Sequence, residues 1–337
     1  MSSMVITHYN LRVEPFGVTP DPAFLFLSES HREAMAALMF GVLSGRGFAA
    51  LIAKPGMGKT SLLFDLLSKL KASLNTAFLF QTLCGPEELL QTLLADLRLP
   101  GGIGDMAKMH MALNEYLLHE SRRGRQVLVV IDEAQNLSDQ ALEVVRMLSN
   151  FETSDRKLMH VVLAGQPQLA ERLGSENLLQ LRQRISIIAR LTPLNPGETR
   201  QYIEYRLRVA GLPVGERLFT CQAYSLIADY SRGIPRTINN LCFNVMALGC
   251  ALKRQKLDAL IVREAIDDLG LEKLGRMTVA RESTANAVAA ETSARANDDL
   301  LPIPAVQIGR LDAEWTAADV DLGGAIGNGF AMHRRNR

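Results

Sequence analysis

A lysine and two hydroxyl residues follow a glycine-bearing turn near the start of the chain, in the segment AKPGMGKTS from Ala53 to Ser61. The spacing resembles the Gly-x-x-x-x-Gly-Lys-Ser/Thr pattern, in which backbone N–H groups surround a phosphate. Lys59 would then reach the β- and γ-phosphates of ATP, and the Thr60 hydroxyl would coordinate Mg²⁺. The residues expected to bind the nucleotide are Pro55, Gly56, Met57, Gly58, Lys59, Thr60 and Ser61.

The first position of this pattern holds Ala53 instead of glycine. The extra methyl group lies where the chain leaves the preceding apolar run, whereas Gly56 and Gly58 keep a permissive backbone nearer to the phosphates. We therefore expect nucleotide binding to survive the change. An ordinary glycine-rich turn is the alternative interpretation.

Two carboxylates, Asp132 and Glu133, follow the apolar run from Val127 to Ile131. In an open parallel α/β sheet, ligands bind at the carboxyl ends of the strands, so this pair can meet the phosphate loop. Asp132 is predicted to hold Mg²⁺ through water, and Glu133 to accept a proton from the attacking water. The alternative is a pair of helix N-terminal acids, which the helix dipole favours.

Three further residues are candidates for the hydrolytic step. Gln166 follows another apolar run, and its amide can hydrogen-bond both the γ-phosphate and the attacking water; a plain turn residue is the alternative. The spacing of Arg182 and Arg184 predicts that they share one face of an extended segment. An arginine supplied by a neighbouring subunit would stabilise the charge of the transition state. Both arginines are alternatively surface charges.

Arg236 lies in the segment SRGIPR, where Pro235 suits the first turn of a helix. From that position the guanidinium is predicted to reach the nucleotide when two domains close, which would couple the nucleotide to the domain angle. The alternative is an exposed arginine near a helix start, where a cation is slightly unfavourable.

Apolar runs alternate with helical patterns between residues 30 and 195, which predicts an α/β fold, a phosphate-loop NTPase with a parallel sheet. A capping box at Ser30 is expected to begin the helix that precedes the loop. The predicted strands are 48–52, 77–81, 127–131 and 158–164.

Three other regions flank this α/β domain. Residues 1–29 form an arm interrupted by Pro and Gly. Residues 196–271 are predicted to form a small helical lid domain, because the strands stop and four helical patterns follow. Residues 272–337 are rich in small polar residues and are predicted to be disordered. Trp315 lies in a short amphipathic piece of this tail, either a docking segment or a stray aromatic.

The composition bounds these interpretations. The chain has 337 residues, of which 47% are hydrophobic and 22% charged, so it can bury a full core. A net charge of +1 does not support nucleic-acid binding by the whole surface. Because no apolar run is long enough to span a bilayer and no secretory segment precedes the core, we expect a cytoplasmic protein. The cysteines are expected to be small core residues: Cys84, Cys221, Cys242 and Cys250.

The motifs together closely resemble the ExeA-type AAA+ ATPases of the general secretion pathway, component A, over about residues 9–271. The matching segments are the phosphate loop, IDEAQNL at 131–137, MLSNFE at 147–152, GQPQL at 165–169 and GIPR at 233–236. Relatives of that family include AAA+ ATPases that serve transposition. The resemblance implies an AAA+ core whose arm packs beside the adenine. In the secretion protein a transmembrane helix and a peptidoglycan-binding domain follow, and the residues after Gly275 match neither.

The expected function is therefore ATP hydrolysis with Mg²⁺ that drives the assembly or remodelling of a partner. A homo-oligomer is expected, acting at a secretion or export complex, at the inner face of the membrane through that partner. A DNA-associated ATPase of the transposition type is one alternative. A nucleotide-dependent scaffold with little turnover is the other.

Overall fold

The computed structural model describes residues 2–17, 21–80, 84–100 and 105–270. The predicted disordered tail and Trp315 lie outside these residues, as do Thr19, Pro20 and Gln81. No helix in the described ranges is both long and apolar enough to cross a bilayer.

Within the described residues, five parallel strands form one sheet, which confirms the predicted α/β class. The strands are β1 (Phe48–Ile52), β2 (Leu74–Leu79), β3 (Gln126–Ile131), β4 (Met159–Gly165) and β5 (Ile185–Arg190). Their order across the sheet is β2-β3-β4-β1-β5. β1 and β4 are buried throughout, as their continuous apolar sequences require. β2 begins three residues before the predicted start, because Asn75 and Thr76 are tolerated on a half-exposed edge strand.

Helices cover both faces of this sheet and continue beyond it. They are α1 (Ser2–His8), α2 (Glu29–Leu43), α3 (Lys59–Leu70), α4 (Pro86–Asp96), α5 (Met106–Arg122), α6 (Asp139–Leu148), α7 (Pro167–Leu173), α8 (Leu179–Arg184), α9 (Pro196–Val209), α10 (Cys221–Ser231), α11 (Pro235–Ala251) and α12 (Ala259–Leu269). Alternate residues of β1 face opposite cores, since side chains alternate along a strand. Apolar residues of α4, α5 and α6 pack on one face, and those of α2 and α3 pack on the other.

A third core joins the arm to the helices that follow the sheet. Tyr9, Phe16 and Phe24 of the arm pack with α9–α12. The four helices predicted after residue 195 are confirmed as α9 to α12. The arm also contains α1, which spans seven residues and contacts α11. The domain boundaries at 29, 195 and 271 remain predictions.

Two local expectations were wrong. Ser28, not Ser30, caps α2, because the Ser28 side chain accepts a hydrogen bond from the backbone N–H of His31. All four cysteines are free thiols, yet only Cys242 is fully buried. Cys221 is exposed at the first position of α10, where a helix start faces solvent.

Candidate nucleotide site

The phosphate loop connects β1 to α3, as predicted. The Ala53 backbone N–H donates to the Gly165 carbonyl at 3.0 Å, so this residue continues the ladder between β1 and β4. Ala53 is not among the residues with positive φ, which explains why glycine is not needed there. Gly56 and Gly58 have φ of 79° and 85°, a conformation that disfavours side chains.

The start of α11 packs directly on this loop. The Arg236 backbone N–H donates to the Gly56 carbonyl at 3.1 Å. A Cβ added at Gly56 would lie 2.8 Å from the Arg236 Cβ and 3.2 Å from the Ile234 Cγ2, so no side chain fits there. The exposed Arg236 side chain lines the same cleft as the loop, and its contact with a nucleotide remains a prediction.

Lys59 is buried and neutralised by the two carboxylates that follow β3. Its Nζ lies 2.6 Å from Asp132 Oδ1 and 2.7 Å from Glu133 Oε1. The Thr60 hydroxyl donates to Asp132 Oδ2 at 2.7 Å. Since a buried charge is costly unless it is paired, these contacts are what allow an ammonium and a carboxylate to lie under the loop. The tertiary structure thus brings together the loop and the acid pair that the sequence singled out separately.

Thr60 and Asp132 place two oxygen donors side by side in a manner that suits Mg²⁺. The ion is usually held by one or two carboxylates together with nucleotide phosphates and water. In the part of the chain that the structure describes, no cluster of three or more His, Cys, Asp or Glu side chains offers a cage for a metal. The donor set therefore fits a cation that arrives with a nucleotide.

Glu133 adopts a strained backbone conformation at the exit of β3. Its φ is 52°, a left-handed value that is uncommon for non-glycine residues, although four other non-glycine residues that the structure describes share it. Oε2 accepts hydrogen bonds from Gln135 Nε2 at 2.6 Å and from Gln166 Nε2 at 3.1 Å. Burial raises the pKa of Glu133, but the hydrogen bonds from Lys59 and the two glutamines outweigh it and leave that pKa below its usual value.

Gln135 is a site residue that the sequence patterns did not indicate. Its Oε1 accepts the Gln166 backbone N–H at 3.1 Å, and a Cβ at Gly165 would lie 2.8 Å from that oxygen. Gly165 is therefore required because the Leu169 side chain, whose Cδ2 would lie 2.7 Å from that Cβ, and the Gln135 amide occupy the space beside it. Gln166, which the sequence did predict, is thereby held beside Glu133.

His31 is a second residue that sequence interpretation missed, since it served only as part of a capping pattern. Its Nε2 lies 3.0 Å from the Met57 carbonyl, and its Nδ1 lies 2.7 Å from the Ser28 hydroxyl. Because a carbonyl only accepts, Nε2 carries the hydrogen and Nδ1 accepts from Ser28. Burial lowers the pKa of His31, although the bond to Met57 and the charge of Glu198 act in the opposite direction. A neutral imidazole thus supports the phosphate loop from α2.

Arg182 and Arg184 do not share a face of an extended segment, which corrects the prediction from their spacing. They lie in α8, where residues two positions apart differ by about 200° around the axis. Both are exposed. β5 starts directly after them and pairs Arg190 with Ile52, so they lie about 16 Å back along the strand from the phosphate-loop edge. That separation exceeds the reach of an arginine side chain, so neither completes the site of its own chain.

The cleft has a volume of about 330 Å³ and extends from the loop to the arm and helical region. At the end away from Lys59 it is lined by Phe24 of the arm, Tyr202 and Arg206 of α9, and Asn239 of α11. None of these four was a candidate from the sequence. We call this region the base end, and the region of Lys59, Thr60, Asp132, Glu133 and Gln166 the phosphate end.

A model of the AAA domain family matches residues 42–173 of the chain. General secretion pathway protein A of Aeromonas hydrophila is 34% identical over 255 residues, which cover 75% of this chain and 46% of that protein. An uncharacterized HTH-type transcriptional regulator of Methanocaldococcus jannaschii is 27% identical, over 52% of this chain and 44% of its own length. The chain thus spans less than half the length of these curated relatives.

Solved structures with the same fold are more distant in sequence. The ORC2 protein of Aeropyrum pernix in its ADPNP-ADP complexes has a TM-score of 0.57 at 17% identity, covering 75% of this chain and 71% of that one. The RuvB Holliday junction branch migration motor of Thermotoga maritima has a TM-score of 0.52 at 20% identity, covering 73% and 71%. Drosophila ORC bound to DNA has a TM-score of 0.58 at 16% identity, covering 80% and 66%. At such low sequence identity, the structural similarity establishes the AAA+ fold and nothing about function.

Proposed function

We propose that this chain, which has the AAA+ fold and resembles General secretion pathway protein A, is an ATPase that hydrolyses ATP with Mg²⁺ to assemble or remodel a partner. The observation that carries the proposal is the convergence of three separate segments at the carboxyl edge of one parallel sheet. Lys59 and Thr60 come from the loop after β1, Asp132 and Glu133 follow β3, and Gln166 follows β4.

The phosphate end is proposed to fill three of the roles that phosphoryl transfer needs from the protein. Lys59 lies between two carboxylates and would exchange them for the β- and γ-phosphate oxygens of ATP. Thr60 and Asp132 would hold Mg²⁺, which neutralises charge on the phosphates when bound. Gln166 would orient a water molecule from its position beside Glu133.

Lys59 is also proposed to influence the basicity of Glu133. Its hydrogen bond is one of the contacts that lower the pKa of the Glu133 carboxyl. When phosphate oxygens take up the ammonium, that contact is lost and the carboxylate becomes a stronger base. Proton abstraction by Glu133 is thereby favoured when ATP is in place, because efficient general bases have a pKa near the working pH.

The arginines of α8 support an active oligomer. Because Arg182 and Arg184 cannot reach their own phosphate end, they are proposed to act at the site of a neighbouring copy. Arg236 is proposed to contact the nucleotide of its own chain, since its backbone already packs on Gly56.

The partner is proposed to be a secretion or export complex, approached from the cytoplasm at the inner face of the membrane. Support comes from the 34% identity with General secretion pathway protein A. A DNA-associated ATPase, in keeping with the RuvB and ORC structures, rests on fold alone. A gel shift with duplex DNA at several salt concentrations distinguishes these two. A DNA-associated ATPase should shift the duplex, and the shift should weaken steeply as salt is raised, because protein contacts with DNA phosphates are salt-dependent.

Nucleotide binding and turnover by purified protein test the proposal. Lys59→Ala is expected to weaken ATP binding by about a hundredfold or more, because a buried charged contact is lost. Lys71→Ala, an exposed lysine at the end of α3, is the control and keeps wild-type affinity. Equal ATP affinity in the two variants would show that this loop does not bind the phosphates of ATP. Tight binding without turnover by the wild type, at any protein concentration, would leave the scaffold alternative.

A further inference from the structure

Arg206 is a buried cation at the base end of the cleft, only 8% exposed. Its Nε donates to the Pro15 carbonyl at 2.5 Å, and its guanidinium lies 4.9 Å from the centre of the Phe24 ring. Within the described ranges, no carboxylate forms an ion pair with it. Neutral acceptors and an aromatic face therefore hold a charge that normally requires an anion.

The hydrogen bonds of Arg206 continue in one direction only. Nη1 donates to the Tyr202 hydroxyl at 2.9 Å, and a guanidinium cannot accept in return. Burial raises the pKa of Tyr202, so the hydroxyl keeps its single hydrogen. That hydrogen must be donated onward to Asn239, whose Oδ1 lies 2.8 Å away. The relay from Arg206 through Tyr202 thus assigns the Asn239 amide, with Oδ1 toward Tyr202 and Nδ2 on the other side.

Asn239 lines the same cleft as the phosphate loop. It follows Arg236 by three positions on α11, about 4.5 Å along the helix and on the same face, and both residues line the cleft. Asn239 Nδ2 makes no hydrogen bond to any residue that the structure describes. A nucleotide with its phosphates at the loop therefore brings its base toward an unpaired donor.

We propose that Asn239 recognises the purine base, and that the Arg206–Tyr202 relay makes this recognition specific for adenine over guanine. The proposal rests on the nucleotide site of the proposed function. The second lone pair of Oδ1 accepts from the exocyclic amine of adenine, while Nδ2 donates to the adjacent ring nitrogen. The locked amide thus matches the donor and acceptor order of adenine.

Guanine presents the reverse order to the same amide. Its exocyclic oxygen replaces the amine, so Oδ1 would face another acceptor. A freely rotating asparagine would flip and bind it through Nδ2. Here a flip would turn Nδ2 toward the Tyr202 O–H, placing two donors against each other. A buried polar group left unpaired in this way is what rejects the wrong ligand.

Competition binding tests the relay, with unlabelled ATP or GTP displacing a ribose-labelled fluorescent ADP in the presence of Mg²⁺. Wild-type protein is expected to prefer ATP over GTP by about tenfold or more. Tyr202→Phe frees the amide, so GTP affinity should rise by about fivefold while ATP affinity changes little. Asn239→Leu removes both amide contacts, so ATP affinity should fall by about tenfold while GTP affinity stays constant. Both variants thus lose the preference for ATP over GTP, Tyr202→Phe through tighter GTP binding and Asn239→Leu through weaker ATP binding.

Tyr205→Phe is the matched control, because the Tyr205 hydroxyl lies on the same helix but donates to the Ala23 carbonyl outside the relay. It should keep the wild-type ratio. Thermal unfolding of each variant shows whether its fold is intact. An unchanged GTP affinity in folded Tyr202→Phe, or a wild-type ratio in Asn239→Leu, would overturn the relay. Failure of wild-type protein to bind either nucleotide would instead refute the proposed function.

Discussion

The phosphate end and the base end of the cleft are built in opposite ways. Lys59 and Thr60 are adjacent in sequence, as are Asp132 and Glu133, and each pair follows a buried strand. The base end draws Arg206 and its partners from the arm, α9 and α11. The comparison teaches that phosphates are bound by short motifs and backbone geometry. A base is recognised by side chains whose neighbours are distant in sequence.

The two ends also differ in what binding must rearrange. At the phosphate end Lys59 is occupied by two carboxylates, so an incoming phosphate has to displace them. At the base end the relay leaves the Asn239 Nδ2 unpaired among the described residues, so nothing has to move. We therefore expect salt and pH to influence the phosphate end more strongly.

The largest expected effect concerns whether the phosphate end is complete within one chain. The double change Arg182→Ala, Arg184→Ala should lower turnover by about a thousandfold or more, because an arginine supplied in trans stabilises transition-state charge. Arg122→Ala, an exposed arginine at the end of α5, should have no effect. The measurement is steady-state hydrolysis over a wide range of protein concentration, where wild-type turnover per subunit should rise.

Mixing variants sharpens the same test. Glu133→Gln protein supplies arginines but no base, and the double arginine variant supplies the base but no arginine. A mixture should recover activity that neither shows alone, since one orientation of the mixed interface has a complete site. If turnover per subunit does not change with protein concentration and mixing restores no activity, these arginines are surface charges and each chain has a complete site of its own.

A smaller effect is expected at Glu133, which separates binding from hydrolysis within the phosphate end. Glu133→Gln should lower the hydrolysis rate by about a hundredfold or more, because the amide keeps the shape but cannot accept the proton. ATP affinity should be equal or tighter, since one carboxylate beside Lys59 is gone. Single-turnover kinetics and a binding titration measure the two quantities. Glu171→Gln, on the exposed side of α7, is the control, and wild-type turnover in Glu133→Gln would remove the base from the mechanism.

The smallest effect is a pH dependence that belongs to the α/β half of the molecule. His160 of β4 is 1% exposed, and neither ring nitrogen has a hydrogen-bond partner among the residues that the structure describes. Burial lowers its pKa to about 4, below the ordinary value of 6.5. As the pH falls, the unfolded chain therefore binds the proton first. The contribution of neutral His160 to the free energy of unfolding is fully present above about pH 6.5 and is lost as the pH falls toward 4. By contrast, burial in the helical half raises the pKa of Tyr224 and Cys242, which stay neutral in acid.

Denaturant unfolding at pH 7 and pH 5 measures this contribution. The wild-type free energy of unfolding should fall by about 2 kcal/mol between the two values from His160 alone. His160→Leu should lose that part of the slope, while His119→Leu, at an exposed histidine, should keep it. An identical pH slope in His160→Leu and wild type would show that the imidazole does not oppose protonation in the folded state.

Much of the phosphate end was predictable from the sequence, because its chemistry is local. Two short motifs carry it: a lysine after a glycine turn, and an acid pair after an apolar run. Both predict a phosphate site in any parallel sheet, because such a sheet brings the ends of its strands together at one edge. The sequence patterns gave the wrong capping residue and the wrong type of element where the outcome depended on contacts that the pattern does not describe. Ser28 and not Ser30 caps α2 because His31 bonds to it, and Arg182 lies in a helix where alternate spacing was taken for a strand.

The sequence by itself therefore determined the α/β class, the first four strands of the sheet, and the loop and carboxylates of the phosphate end, but it did not predict β5 or α8. Period and motif are properties of contiguous residues, so they can be recognised before folding. Only the tertiary structure decided that His31 supports Met57, that Gln135 holds Gln166, and that α8 lies far from its own site. It also decided that a buried arginine orients Asn239. Each of these depends on the direction of a hydrogen bond or a distance between remote segments, which the order of residues along a chain does not contain.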